Sequence, residues 1–243
     1  MCPERQAEPE HAQPASLSPS GLAAYIDHTL LNPLATRADI ERLCEECVRY
    51  GFHAACVLPR WTALAVDILR EEKVRVVGLA GFPLGADSPA IKARQAREVI
   101  MAGADEIDMV ADLSAIVEGD ARRLVTDVAS VLHECRKMRP HVLLKVIIES
   151  AALSDGQIAF ACGLIDKAGA DFIKTSTGLL AQGGASVEAV RLMAESAPNC
   201  RIKAAGGIRT AERALEMISA GADRIGASAS VRVIETLDEV RQP

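Results

Sequence analysis

Aromatic side chains are scarce in this sequence: four Phe, two Tyr and one Trp make up 3% of 243 residues. A core built without them must rest on Ala, Val, Ile and Leu. Such a core is available, because 49% of the residues are apolar and 25% are charged, close to the globular averages. Intrinsic disorder is thereby excluded for the bulk of the chain. There is no surplus of positive charge. The net charge of -6 argues against nucleic acid or an anionic membrane as the main partner, while leaving a local cationic pocket open. No run reaches the ~18 apolar residues of a transmembrane helix. The opening stretch MCPERQAEPEHAQPASLSPS lacks the apolar segment of a secretory signal and is too acidic for a transit peptide. The seven cysteines, at 2, 44, 47, 56, 135, 162 and 200, are odd in number and scattered, so no disulfide framework is expected and a reducing cytoplasm is the simplest home. No GxGxxG follows the first apolar strand, which removes support from a doubly wound open sheet. No His/carboxylate cluster has metal-ligand spacing, which disfavours a metal-dependent mechanism.

What is present is a weak internal repeat. Ala-Gly-Ala-Asp occurs at 102–105, 168–171 and 220–223, 66 and 52 residues apart. Each copy follows a helical pattern and precedes a short apolar run, EIDMV, FIKT or RIGA, so each reads as helix, glycine C-cap, strand. If each gap holds two units, the chain has room for about eight βα units, which is a single TIM barrel. Strands are expected at Ile26–Thr29, His53–Leu58, Arg75–Leu79, Glu106–Val110, Val142–Ile148, Phe172–Lys174, Arg201–Ala204 and Arg224–Gly226. Thr36 with Asp39, and Ser154 with Gln157, read as capping boxes, and Ser88-Pro89 as a helix start. Residues 1–19, with four prolines among polar residues, read as a mobile tail, and 20–243 as the barrel domain.

Three lysines sit in or at the end of apolar strands: Lys145, Lys174 and Lys203, spaced 29 and 29 residues apart. One βα unit each, they are expected at equivalent levels on successive strands. Three cations converging on one barrel mouth would repel, and repulsion and desolvation both lower a lysine pKa. A lysine kept partly neutral attacks carbonyl carbon to give a Schiff base. The competing reading is that each snorkels to solvent. Asp108 alternates with apolar neighbours in EIDMV and is expected to point into the mouth as a proton shuttle, or as a salt-bridge partner for a lysine. Glu106 and Asp105 read as exposed strand-entry residues. Spacing alone does not say which lysine is the nucleophile.

Glycine-bearing loops follow the last two strands: Gly206-Gly207-Ile208-Arg209, and Gly226-Ala227-Ser228 ahead of a short final helix. Loops in these positions are the usual phosphate site of the barrel, where backbone N–H groups approach an anion. Thr175, Ser176, Thr177 and Gly178 form a third polar loop suited to hydroxyl and phosphate contacts. Cys44-Glu-Glu-Cys47 lies in a helical pattern without a second pair and reads as packing. His28 is open between a site residue and a satisfied strand-end histidine, and Trp61 reads as packing or interface.

Taken together, DHTLLNP (27–33), GFPLG (81–85), EIDMV (106–110), LKVIIES (144–150), DFIKTSTG (171–178), IKAAGGIR (202–209) and RIGAS (224–228) resemble the deoxyribose-phosphate aldolase family, in the family's order and over roughly residues 22–232. The resemblance implies a class I aldolase that cleaves 2-deoxy-D-ribose 5-phosphate reversibly to acetaldehyde and D-glyceraldehyde 3-phosphate, without metal or organic cofactor, and works as a homodimer. By motif, Lys174 resembles the Schiff-base lysine, Lys203 the second lysine that tunes it, Asp108 the acid/base aspartate, and Lys145 the lysine that helps hold Asp108 and the substrate hydroxyl. Gly207, Arg209, Gly226 and Ser228 fall in the family's phosphate loops. The sequence departs from the family's common pattern at Asn32, Asp112, Leu179-Leu180, Ala205 and Ala229. Rival readings are another Schiff-base barrel aldolase acting on a different aldehyde, a phosphosugar-binding barrel without catalysis, and a metal-dependent barrel enzyme.

Overall fold

The structure, a computed structural model, describes residues 17–138 and 142–237. Eight short apolar segments form parallel strands: β1 Ile26–Leu30, β2 Ala54–Val57, β3 Arg75–Ala80, β4 Glu106–Val110, β5 Leu143–Ile147, β6 Phe172–Lys174, β7 Arg201–Ala205 and β8 Arg224–Ala227. Each lies within a residue of its expected bounds. They pair in sequence order and β1 closes on β8, so the sheet is a closed barrel. The helices are α1 Pro19–Ala23, α2 Arg37–Tyr50, α3 Thr62–Ile68, α4 Pro89–Met101, α5 Leu113–Glu118, α6 Ala121–Met138, α7 Asp155–Ala168, α8 Val187–Ser196, α9 Ala211–Ser219 and α10 Ser230–Glu235. Residues 1–16 of the expected tail lie outside the described residues. Leu17 is buried and the Ser18 hydroxyl caps α1 by accepting from the Gly21 N–H.

Local chemistry sets the helix ends. Thr36 and Asp39 exchange side-chain-to-backbone bonds in a full capping box at the start of α2, and Ser154 and Gln157 do the same for α7. Each box satisfies two donors that the first helical turn would leave open. Ser88 stands at the N-cap of α4 without a side-chain cap bond. Pro89 opens that helix with no N–H to satisfy.

The Ala-Gly-Ala-Asp repeat has a structural meaning that its spacing did not disclose. Its glycines, Gly103, Gly169 and Gly221, end α4, α7 and α9 at φ of 105°, 87° and 110°, a region that side-chain-bearing residues avoid. Its aspartates then bind the preceding strand. Val76 donates its N–H to Asp105 Oδ2 at 2.9 Å, Leu144 to Asp171 Oδ2 at 2.8 Å and Ile202 to Asp223 Oδ2 at 2.8 Å. Each aspartate N–H returns a bond to the carbonyl of the same residue. The motif is therefore a two-way clasp at the foot of β3–β4, β5–β6 and β7–β8. Asp105 is half-buried by this role rather than exposed.

Two cores result. The larger one lies between sheet and helices and takes the outward side chains of the strands, such as Val76, Ile107, Val146 and Ile225. The smaller one fills one side of the barrel interior with Ala54, Cys56, Val77 and Leu79 from β2 and β3. The rest of the interior mixes charged side chains with Val110, Ile147 and Phe172. Trp61 is half-buried packing against the outer core, beneath the guanidinium of Arg60 at 4.7 Å.

The clasp can be tested away from the site. Asp171→Ala strands the buried Leu144 N–H and is expected to cost about 1–3 kcal/mol. Urea denaturation should show it as a lowered midpoint at unchanged slope, and an unshifted midpoint would show that the clasp adds nothing.

Candidate active site

The strand alternation that buries Ile107, Met109, Leu144 and Val146 outward turns Glu106, Asp108 and Lys145 inward. The same alternation brings in Asp27 from β1, Lys174 from β6, Lys203 from β7 and Arg224 from β8. All are buried. Lys174 and Lys203 are direct partners in the β6–β7 register, as expected. Lys145 is not at their level: it pairs with Phe172, and Ile147 faces Lys174. Equal sequence spacing does not give equal height, because closing a barrel staggers the register from strand to strand.

Asp108 is the meeting point of the three lysines. Lys174 Nζ and Lys203 Nζ each lie 2.8 Å from its Oδ2, and Lys145 Nζ lies 2.8 Å from its Oδ1. A second tier supports the first. Lys203 also contacts Asp27 Oδ2, and Lys145 lies 2.5 Å from Glu106 Oε2. Arg224 Nη1 bridges Asp27 Oδ1 at 2.9 Å and Glu106 Oε2 at 3.2 Å, while Arg75 and His53 reach Glu106 Oε1 at 3.0 and 3.3 Å. The Arg224 and Arg201 guanidinium carbons stand 5.2 and 4.1 Å from the Phe172 ring centroid.

This geometry corrects two expectations. Glu106 is not an exposed strand-entry residue: it has no exposed surface and carries four basic partners. The lysines do not form a self-repelling cluster either. Burial pushes the Lys203 ammonium down, but Asp108 and Asp27 outweigh it and raise the group above the ordinary lysine value. Lys145 is raised in the same way, by Asp108 and Glu106 against burial. The carboxylates respond in turn. Burial pushes Asp108 up, yet Lys145, Lys174 and Lys203 hold it well below the usual range, and Lys145 and Arg224 do the same for Glu106. Asp27, Glu106 and Asp108 thus balance Lys145, Lys203 and Arg224, all wholly enclosed. Lys174 shares Asp108 with the two lysines, and its side chain is the one of the three lysines that reaches the cavity.

The cavity opens at the carboxyl end of the strands, with a volume of about 390 Å³. Its wall brings together Lys174, Thr177, Gly178, Gly206, Gly207, Arg209, Gly226 and Ser228. Asp108, Lys145 and Lys203 lie below the lining. The loops after β6 and β7 meet backbone to backbone: a Cβ on Gly184 would stand 2.2 Å from the Gly206 carbonyl oxygen. Glycine there is a requirement of close approach. The segment Thr29–Pro33 supplies the opposite wall and was not singled out as lining, although it overlaps the DHTLLNP motif. Asp27, in the same motif, was also missed; its inward alternation was the available signal. His28 faces outward, away from the cavity, with its Nε2 2.7 Å from Glu46 Oε2. Asp112 is an N-cap, accepting from the Ala115 N–H and paired with Arg123.

Asp27, His53 and Glu106 bring potential metal-ligand atoms within 4.8 Å of one another, a grouping the sequence did not reveal. Arg224 and Lys145 already bind both carboxylates. The grouping belongs to the salt-bridge lattice, and a further cation there would face two fixed positive charges.

Comparison with known proteins is consistent along the whole barrel. The model of the DeoC/LacD family of aldolases matches residues 22–231. The chain is 48% identical over 220 residues to the deoxyribose-phosphate aldolase of Thermococcus gammatolerans, covering 88% of this chain and 95% of that one. It is 45% identical over 217 residues to deoxyribose-phosphate aldolase 1 of Bacillus licheniformis, covering 89% and 96%. The tetrameric deoxyribose phosphate aldolase of Aeropyrum pernix superposes with a TM-score of 0.87 at 32% identity, covering 97% of this chain and 99% of that one.

Removing one carboxylate from the lattice tests its energetics. Glu106→Gln leaves buried cations short of a partner and is expected to cost about 3–5 kcal/mol at neutral pH. A depressed carboxylate stabilises above its unfolded pKa and loses that contribution as pH falls through its folded value. The stability gap between wild type and variant, from denaturation at stepped pH, should therefore narrow on acidification. A gap that is constant down through the carboxylate range would refute the ion-pair account.

Proposed function

The chain belongs to the DeoC/LacD family of aldolases, and we propose that it cleaves 2-deoxy-D-ribose 5-phosphate through a Schiff base on Lys174. It is a lyase that breaks a carbon–carbon bond. The observation that carries the assignment is the position of Lys174: it shares Asp108 Oδ2 with Lys203 and lines the cavity.

In this reading the Lys174 amine adds to C1 of the open-chain sugar phosphate, and loss of water gives a protonated imine. Asp108, acting through water, takes the proton from the C3 hydroxyl. The C2–C3 bond breaks, its electrons pass into the imine to form an enamine, and D-glyceraldehyde 3-phosphate leaves. Protonation of the enamine at C2 and hydrolysis release acetaldehyde and restore the amine. Lys203 and Lys145 keep Asp108 ionised and in place, so the field that meets the developing charge is already fixed. The exposed backbone at Gly207, with Arg209 and Ser228 beside it, is suited to the phosphate, and Thr177, Gly178, Gly206 and Gly226 complete that wall. Anchoring the phosphate holds the reacting carbon near the amine, which lowers the barrier through proximity.

A homodimer in the cytoplasm is part of the proposal. No helix among the described residues is long and apolar enough to cross a membrane, and the six described cysteines are free and buried, as suits a reducing compartment. Sedimentation would separate a dimer from the tetramer described for the Aeropyrum pernix protein.

Borohydride reduction in the presence of acetaldehyde should leave an ethyl group on Lys174, read by peptide mass mapping. An adduct on another lysine, or none, would overturn the assignment. Asp108→Asn is expected to lower kcat about 10²–10⁴-fold, the range of a lost general acid–base. Activity that collapses on treatment with a chelator would favour the metal-dependent alternative instead.

A further inference from the structure

Among the described residues, Glu149 is the non-glycine residue with a left-handed backbone, at φ 54° and ψ 55°. Such a conformation costs about 1–2 kcal/mol for an L-residue and persists where the surroundings over-determine it. Glu149 is 1% exposed and stands two residues beyond the end of β5. Its neighbours tie the chain to the segment after Lys174: Ile148 donates its N–H to the Lys174 carbonyl at 3.1 Å, and Ser150 to the Thr175 carbonyl at 2.8 Å. Between them, Glu149 Oε1 accepts the Thr177 N–H at 2.7 Å.

These bonds divide the segment into two parts with separate anchors. Lys174 and Thr175 are held by backbone bonds from β5 and by β7, through the Thr175 N–H to the Lys203 carbonyl at 3.0 Å and the Ala205 N–H to Thr175 Oγ1 at 2.9 Å. None of these uses the Glu149 side chain. From Thr177 onward the chain becomes cavity wall, as Thr177, Gly178 and Leu179. There the Glu149 carboxylate holds the first residue, and the Leu179 N–H donates to Thr177 Oγ1 at 3.2 Å, which carries the constraint along the loop. Removing the acceptor from a buried N–H leaves that donor unsatisfied, which is costly.

We propose that Glu149 is a positioning residue for substrate binding: its carboxylate fixes the Thr177–Leu179 wall, and so sets affinity for the phosphorylated substrate without acting in bond-making at Lys174. The inference rests on the Schiff-base reading above. It separates two quantities that a merely structural role would move together, because the anchors of Lys174 remain when the carboxylate is removed.

The experiment compares wild type, Glu149→Ala, Glu149→Asp and Glu149→Gln in two assays. Steady-state kinetics with 2-deoxy-D-ribose 5-phosphate give KM and kcat, and borohydride trapping with acetaldehyde alone reports on Lys174. Glu149→Ala is expected to raise KM about tenfold, the effect of a lost buried hydrogen bond, and to leave trapping at the wild-type rate. Glu149→Asp keeps the carboxyl group but shortens the reach, and should raise KM likewise should the alanine variant fail to fold. Glu149→Gln, whose amide oxygen still accepts the Thr177 N–H, should restore KM to near wild type. An unchanged KM with trapping intact overturns this inference alone. So does a Gln variant as impaired as Ala, or a trapping rate that falls in step with kcat/KM. Absence of trapping on Lys174 in the wild type defeats the Schiff-base reading and this inference with it.

Discussion

The sharing of one buried carboxylate by three ammonium groups governs this barrel. Asp108 gives Oδ1 to Lys145 and Oδ2 to both Lys174 and Lys203, all at 2.8 Å. Taking an ion out of water costs several kcal/mol, so such a cluster persists only if every member finds a partner. The second tier meets that requirement. Asp27 and Glu106 hold Lys203 and Lys145 from below, and Arg224 ties the two carboxylates together. The barrel interior is therefore polarised side to side, with Ala54, Cys56, Val77 and Leu79 on the β2–β3 side and the lattice against them. That apolar face excludes water and strengthens every charge interaction it borders.

The lattice also explains how three lysines with similar neighbours in the sequence can differ in role. Lys145 and Lys203 are enclosed and bound to two carboxylates each at short range, which holds them charged. Lys174 has Asp108 and the cavity. Exposure to substrate and freedom from a second carboxylate fall on the same residue. The fixed cations around it secure the ionisation of Asp108, so the interior supplies a base and a nucleophile within one hydrogen bond of each other.

Much of the scaffold could be read in advance. Short apolar runs alternating with helical patterns located all eight strands, and the capping chemistry of Thr36, Asp39, Ser154 and Gln157 located two helix starts, because these signals depend on residues a few positions apart. The inward direction of Asp108 follows from its alternation with apolar neighbours, and that of Lys174 and Lys203 from their equal spacing in apolar strands. What escaped was partnership at long range. Lys203 and Asp27 are 176 positions apart, and Arg224 and Glu106 118. Glu106 was misread as exposed for that reason: a carboxylate two residues before another looks like a strand entry until its cations are known.

The sequence by itself determined the barrel, its pitch and the inward course of Asp108, Lys174 and Lys203, since periodicity, caps and turn glycines act locally. Tertiary structure decided the height of Lys145, the burial of Glu106 and Asp27, and the access to the cavity that singles out Lys174. Those depend on the stagger of a closed sheet and on Coulomb energies between groups that only closure brings within 4 Å.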